Sequence, residues 1–177
     1  MLHPGGRQMT EHLLQLAGIV PGVNGSAADL GAGKGESLSV LSAYGFKAEG
    51  YDLHPGEGIL QGDFLALDVE EESYDLVFSE CAFFSSGNPF QAIREASRIV
   101  KKDGKILIAD IFTLREEELR KQLEEYGLKV LFMEDQTASW KEYIIERLWQ
   151  NEYTKEVCNS PKNSRYYLLG LERIHHE

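Results

Sequence analysis

Cysteine is nearly missing: Cys81 and Cys158 are the only two, far apart and without metal-ligand spacing. That excludes a disulfide scaffold and a zinc cluster, and points to a reducing, cytoplasmic setting. Positive charge is also scarce. Eighteen Lys and Arg stand against 29 Asp and Glu, a net charge of -11 with a pI near 4.9, and no basic run exceeds the pair Lys101-Lys102. Such a chain is a poor match for nucleic acid or for anionic membrane surfaces, and suits small or cationic partners. No stretch approaches the roughly 20 apolar residues of a membrane span, and no basic flank with an apolar run opens the sequence, so neither insertion nor secretion is expected. Internal repeats and low-complexity linkers are lacking too.

What is present is an apolar fraction of 42% in 177 residues, enough for one domain with a sizeable core. The segment "TEHLLQLAG" predicts a short helix with Thr10 as N-cap, an apolar stripe of Leu13, Leu14 and Leu16, and Gly18 as its end. Strands are expected at Ser26 to Leu30, "KAEGYDL", Ile59-Leu60, "YDLVFSE", "KILIADI", "LKVLFME" and "RYYLLGLERI". Between them fall a helix from about Glu36 to Ala43 and a helix in "NPFQAIREASRIV", with Asn88, Pro89 and Gln91 in a capping-box pattern. "KKDG" reads as a turn. Thr113 with Glu116 caps "EEELRKQLEEYG", which Gly127 stops, and Ser139 with Glu142 caps a helix reaching about Trp149. Strands and helices in this rhythm predict an α/β, doubly wound, mostly parallel seven-stranded sheet. The last strand follows a long excursion and is expected to insert antiparallel, at the edge.

The stretch "ADLGAGKGES" carries the first functional signal. Gly31, Gly33 and Gly35 alternate between a strand and a helix, where glycine opens backbone angles closed to other residues and leaves room for a ligand at a helix N-terminus. Asp52, 23 residues beyond Asp29 at the end of the second strand, suits the two hydroxyls of a ribose. A tight turn without ligand and a turn-capping Asp52 are the plain alternatives. A nucleoside triphosphate is poorly supported, because "GAGKGES" lacks the four-residue gap and terminal Gly-Lys-Ser/Thr of a phosphate loop.

Taken in order, "ADLGAGKG", "YDLHP", "QGDFLAL", "YDLVFSECAFF" and "ASRIVKKDGKILIAD" make the chain resemble a class I S-adenosylmethionine-dependent methyltransferase of the small-molecule branch, over about Ala27 to Ile111 and more loosely beyond. The resemblance implies a Rossmann-like fold with S-adenosyl-L-methionine as cofactor and no metal. It implies that Asp29 supports the glycine turn and the cofactor's amino-acid end. Gly31, Ala32 and Gly33 would pass close to the cofactor, Asp52 would hold the ribose, Leu53 would lie against the adenine, and Asp63 with Phe64 would meet the adenine edge and face. Glu80 and Cys81 would line the side where donor and substrate meet, as the catalytic pair, with Glu80 also against the cofactor.

One departure stands out. Only "LHPGEGILQG" separates Asp52 from Asp63, and ten residues with Pro55, Gly56, Gly58 and Gly62 cannot form a crossover helix and also supply a strand. A loop or single turn is expected, leaving the adenine side open, with His54 either covering it or exposed without a role.

Methyl transfer from a sulfonium needs a lone pair held in line with the methyl-sulfur bond, so the protein supplies proximity, orientation and electrostatics rather than a covalent nucleophile. Glu80 can hold an amine or act as a base, or be a surface carboxylate. Cys81 meets a soft substrate atom or simply packs, and Phe83 with Phe84 lines an apolar substrate pocket or fills the core. The first 22 residues are read as a helical lid over an α/β core of residues 23–177, with His3 and Arg7 as candidates for gripping the substrate. Trp140, Tyr143 and Trp149 form a substrate cover or a homodimer contact, although Trp140, Ile144 and Leu148 also read as a buried stripe. Cys158 joins the site if its loop folds inward. "SECAFF" stands where nucleic-acid amine methylators carry an Asn/Asp-Pro-Pro-aromatic motif, and the several cysteines of arsenical enzymes are absent. The expected substrate is a small molecule. A nicotinamide-dependent oxidoreductase, and a non-catalytic module working through a protein partner, are the competing readings.

Overall fold

A computed structural model describes residues 6–150 and 161–174. His3 and Cys158 lie outside the described residues. In chain order the elements are α1 (Gly6–Leu16), β1 (Gly25–Leu30), α2 (Glu36–Tyr44), β2 (Phe46–Asp52), β3 (Leu60–Gln61), β4 (Tyr74–Glu80), a short 3-10 turn (Phe84–Ser86), α3 (Pro89–Ile99), β5 (Val100–Phe112), α4 (Glu116–Glu125), β6 (Leu128–Asp135), α5 (Thr137–Trp149) and β7 (Arg165–Arg173).

The strands form one sheet in the order β3-β2-β1-β4-β5-β7-β6. β1 runs parallel to β2 and β4, and β4 parallel to β5, while β7 is antiparallel to both β5 and β6. β7 is therefore antiparallel as expected but not at the edge; it inserts between β5 and β6, because Leu168, Leu169 and Leu171 are fully buried and need cover on both sides. Alternate residues of a strand face opposite layers. Ile106 and Ile108 join α3 and α4 on one face, whereas Leu107 and Ala109 join α1, α2 and α5 on the other.

Several predicted helix starts shift. α1 begins four residues before Thr10, and the Thr10 hydroxyl donates instead to Glu80 across the molecule. Asn88 makes no side-chain cap; the amide of Gln91 reaches the Leu65 carbonyl (3.2 Å). At α4 the Glu118 carboxylate accepts from the Arg115 backbone N–H (3.0 Å), so the capping pair lies two residues beyond Thr113 and Glu116. α5 starts at Thr137, whose N–H donates to Asp135 (2.9 Å), leaving Ser139 inside the helix. "KKDG" is not a turn between elements but an irregular start of β5, where Tyr74 pairs with Val100 and Leu76 already with Lys105. Each capping pattern recurs along polar stretches, and packing chooses among the copies.

Between Asp52 and Asp63 the chain makes turns and the two-residue β3, with no helix, as its glycines and proline dictate. The strand order reverses between β1 and β4, since the chain runs outward through β2 and β3 and then returns. Open sheets of this kind bind ligands beyond the carboxyl ends of the strands at that reversal. No described helix is long and apolar enough to cross a membrane.

Candidate functional site

Past the carboxyl ends of β1 and β4 the segments that follow the two strands touch. Gly31 adopts φ +83, and a Cβ there would stand 2.2 Å from the Ala82 Cβ. Its missing side chain is thus filled by the protein itself. Gly33, at φ +54, has nothing within 4 Å of a Cβ position, so the open side of the bend is at Gly33. The turn is pinned to β2 by Gly31 and Ala32 N–H donating to the Tyr51 carbonyl (2.8 and 3.1 Å).

Asp52 ends β2 and faces that bend. One carboxylate oxygen accepts the Gly33 N–H and the other the His54 N–H, both at 2.9 Å. Asp63 accepts the Leu65 N–H (2.9 Å), and Phe64 packs on Phe83 with ring centroids 5.4 Å apart. Asp52, Asp63 and Phe64, together with Gly31, Ala32, Gly33, Leu53, Glu80 and Cys81, border one cavity of about 890 Å³. The helix-free loop leaves Leu53 half exposed at its rim.

Asp29 does not border the cavity. It is buried behind the turn, where it accepts a hydrogen bond from Ser37 of α2, and loss of hydration pushes its carboxyl up to about 7. Glu80 does border it, held by the Thr10 hydroxyl at 3.2 Å from both carboxylate oxygens; burial, then the charge of Asp29, pushes it up to about 8. Cys81 takes φ +52, a conformation costly for a residue with a Cβ. Its sulfur lies 3.3 Å from the Tyr166 hydroxyl, and burial raises both groups.

Three expected substrate residues lie elsewhere. Phe83 is fully buried in the core, Trp140 is buried against Tyr166 in a parallel stack (6.2 Å, 7°), and Arg7 points outward in an ion pair with Glu11 (2.9 Å). In each case the side chain finds a better partner within the fold than in the cavity. The α5 stripe also stops short: Leu148 is exposed.

Sequence reasoning overlooked Asp110. This buried β5 carboxylate accepts the N–H groups of Phe83 (2.7 Å), Phe84 (3.2 Å) and Ile111 (2.7 Å), which fixes the chain leaving β4; burial pushes it up to about 6. Lys34, Ser85 and Arg147 on the cavity wall were overlooked as well. Lys34 sits inside the glycine motif and was within reach of the sequence. Nothing local marks Asp110 or Arg147.

A family model described as a methyltransferase domain matches residues 28–108, from β1 into β5, the same strands that build the cavity. Over those residues the chain resembles a methyltransferase domain. Among solved structures, the cyclase SpnF matches with a TM-score of 0.76 at 15% identity, covering 96% of this chain and 81% of that one. Phosphoethanolamine N-methyltransferase 2 of Haemonchus contortus, in complex with S-adenosyl-L-methionine, matches with a TM-score of 0.75 at 17% identity, covering 99% of this chain and 54% of that one. Geranyl diphosphate C-methyltransferase of Streptomyces coelicolor matches with a TM-score of 0.71 at 13% identity, covering 94% and 80%. At these identities the likeness is one of fold. SpnF, a cyclase, shows that this methyltransferase-like fold alone does not fix the reaction. No curated protein matches the chain by sequence.

Proposed function

We propose that the domain transfers the methyl group of S-adenosylmethionine to a small-molecule substrate at the carboxyl ends of β1, β2 and β4. The observation that carries this reading is the pairing of Asp52 with the open side of Gly33 on a cavity of about 890 Å³. The residues suit the cofactor. Each Asp52 oxygen accepts one backbone N–H and keeps a lone pair for a ribose hydroxyl. The side-chain-free surface at Gly33 admits a ligand against the backbone, Leu53 and Phe64 offer apolar walls for an adenine, and Asp63 offers a carboxylate at its edge.

When bound, the cofactor supplies an electrophilic methyl on a positively charged sulfonium. The protein's part is orientation and electrostatics. Glu80, at about 8, holds its proton at neutral pH in the free protein, and a nearby cation favours its ionised form. It can then steady the cation or take a proton from an arriving substrate. Cys81 is a neutral thiol beside Tyr166, a packing and positioning group rather than a nucleophile. Residues 6–22 serve as the lid, joined to the site by the Thr10 to Glu80 hydrogen bond. A small-molecule substrate and a cytoplasmic setting fit the acidic, cysteine-poor chain.

Calorimetric titration with S-adenosylmethionine and S-adenosylhomocysteine tests this. Binding in the micromolar range is expected, weakened at least about tenfold by Asp52→Ala through loss of charge-assisted hydrogen bonds. Folded protein that binds neither compound would overturn the reading.

A further inference from the structure

Between β3 and β4, residues 62–73 form neither helix nor strand, yet this stretch places Asp63, Phe64 and Leu65 on the cavity wall. Asp63 shapes its own turn. Its carboxylate accepts the Leu65 N–H and its backbone carbonyl the Ala66 N–H, both at 2.9 Å.

α3 fixes where that turn sits. Gln91, Glu95 and Arg98 stand at i, i+4 and i+7 on one face of the helix, and they meet the backbone of Leu65, Leu67 and Val69, alternate residues of the loop. The Gln91 amide donates to the Leu65 carbonyl (3.2 Å), and Glu95 accepts the Leu67 N–H (2.8 Å). The Arg98 guanidinium donates to the carbonyls of Leu67 (3.0 Å) and Val69 (2.7 Å). It also forks onto Glu95 (3.0 and 2.6 Å), and that contact holds the buried Glu95 carboxyl below its ordinary range. The Leu67 side chain turns inward over Gly62, where a Cβ would stand 2.8 Å from it, and the Gly62 N–H is tied to the Asp52 carbonyl (3.0 Å). A continuous set of contacts therefore runs from Arg98 to the residue before Asp63.

An ion pair taken out of water adds little net stability. Bonds that fix four backbone groups of an irregular loop instead decide where its side chains stand, and none of the three α3 residues borders the cavity itself. We propose that Gln91, Glu95 and Arg98 are positioning residues that set Asp63 and Phe64 against the purine of the methyl donor, and so establish selectivity for its amino group. The inference rests on reading Asp63 and Phe64 as the adenine wall of a methyl-transfer site.

Calorimetry that compares S-adenosylhomocysteine with its analogue carrying hydrogen in place of the adenine amino group tests this. The parent protein should prefer S-adenosylhomocysteine by at least about fivefold, because the analogue offers the Asp63 carboxylate no donor. Arg98→Lys keeps a charge beside Glu95 but cannot span the Leu67 and Val69 carbonyls, and should cut the preference to under about twofold. Gln91→Leu breaks the bond at Leu65 and spares the ion pair; it should cut the preference in part, and it carries the test if Arg98→Lys does not fold. Arg94→Met, on the same helix, removes a guanidinium 4.2 Å from the Tyr126 ring centre and should leave the preference at the parent's value. A preference retained in Arg98→Lys and Gln91→Leu, even with affinity for both ligands equally reduced, would make the α3 contacts structural only and overturn the proposal. An equal fall in Arg94→Met, or a parent that binds both ligands alike, would overturn it too, and all these results leave the methyl-transfer reading intact. A parent that binds neither ligand removes both.

Discussion

Gly31 and Ala82 meet where β1 and β4 end, so close that a Cβ on the glycine would stand 2.2 Å from the alanine Cβ. The contact bridges the sheet's reversal and sets the floor of the cavity. Gly31→Ala should therefore cost about 2–5 kcal/mol from overpacking and a strained φ, read by chemical denaturation. Adding Ala82→Gly should recover part of it. Gly33→Ala meets no atom and should cost only about 1–2 kcal/mol for its left-handed φ, yet weaken S-adenosylhomocysteine binding far more than Gly31's neighbours would suggest. If Gly33→Ala unfolds the protein as readily as Gly31→Ala, the distinction between a packed and an open glycine is wrong.

Asp29 makes the free protein less stable as pH rises. Its carboxyl is moved from an ordinary 3.8 up to about 7 by burial, so the folded state holds the proton more tightly than the unfolded chain does. The contribution is whole below about pH 4 and is lost as pH climbs through 7. Between about pH 5.5 and 8 the loss from Asp29 is on the order of 2 kcal/mol, and Glu80, raised to about 8, adds to the fall in Tm in the same sense. Asp75 and Glu95 are lowered and act in the opposite sense, but below that window. Asp29→Asn, which keeps an acceptor for Ser37, should make the fall shallower while Glu80 sustains the remainder; an unchanged slope would clear Asp29 of the role.

Glu80 links pH to cofactor charge. A positive sulfonium favours the ionised carboxylate, so S-adenosylmethionine should bind more tightly as pH rises from 7 to about 8, by up to about fivefold, whereas uncharged-sulfur S-adenosylhomocysteine should respond less. Thr10→Val removes the hydroxyl that favours ionisation and should move the rise to higher pH. In Glu80→Gln the difference between the two compounds should no longer depend on pH. Parallel calorimetric titrations across pH decide it.

Asp110 holds three N–H groups of the chain around the β4 exit and β5 end. Asp110→Leu leaves all of them without an acceptor and should cost about 3–5 kcal/mol, while Asp110→Asn, which retains one acceptor oxygen, should cost less. Amide hydrogen exchange at Phe83 and Phe84 should accelerate in both. Protection unchanged from the parent would show that the loop is held by other means.

The readable part of this protein is the part built from local rules. Consecutive apolar residues in "YDLVFSE", the glycine alternation after Asp29 and the shortage of residues after Asp52 each announced an element or its absence, because each constraint acts over a few neighbouring residues. Helix starts were less legible. Thr10, Thr113 and Ser139 all fit a capping pattern, and the actual boundaries were set by what the helix packs on.

The sequence by itself determined the strand-helix rhythm, the bend at Gly31 and Gly33 and the carboxylate at the end of β2. Only the tertiary structure decided that β7 enters between β5 and β6, that Trp140 and Phe83 turn into the core, and that Asp110, Tyr143 and Arg147 reach the neighbourhood of Glu80. The reason is distance along the chain. A contact between residues far apart in sequence leaves no periodic trace in either segment, and its partner is chosen by which side chains can be buried and satisfied together once the sheet has closed around them.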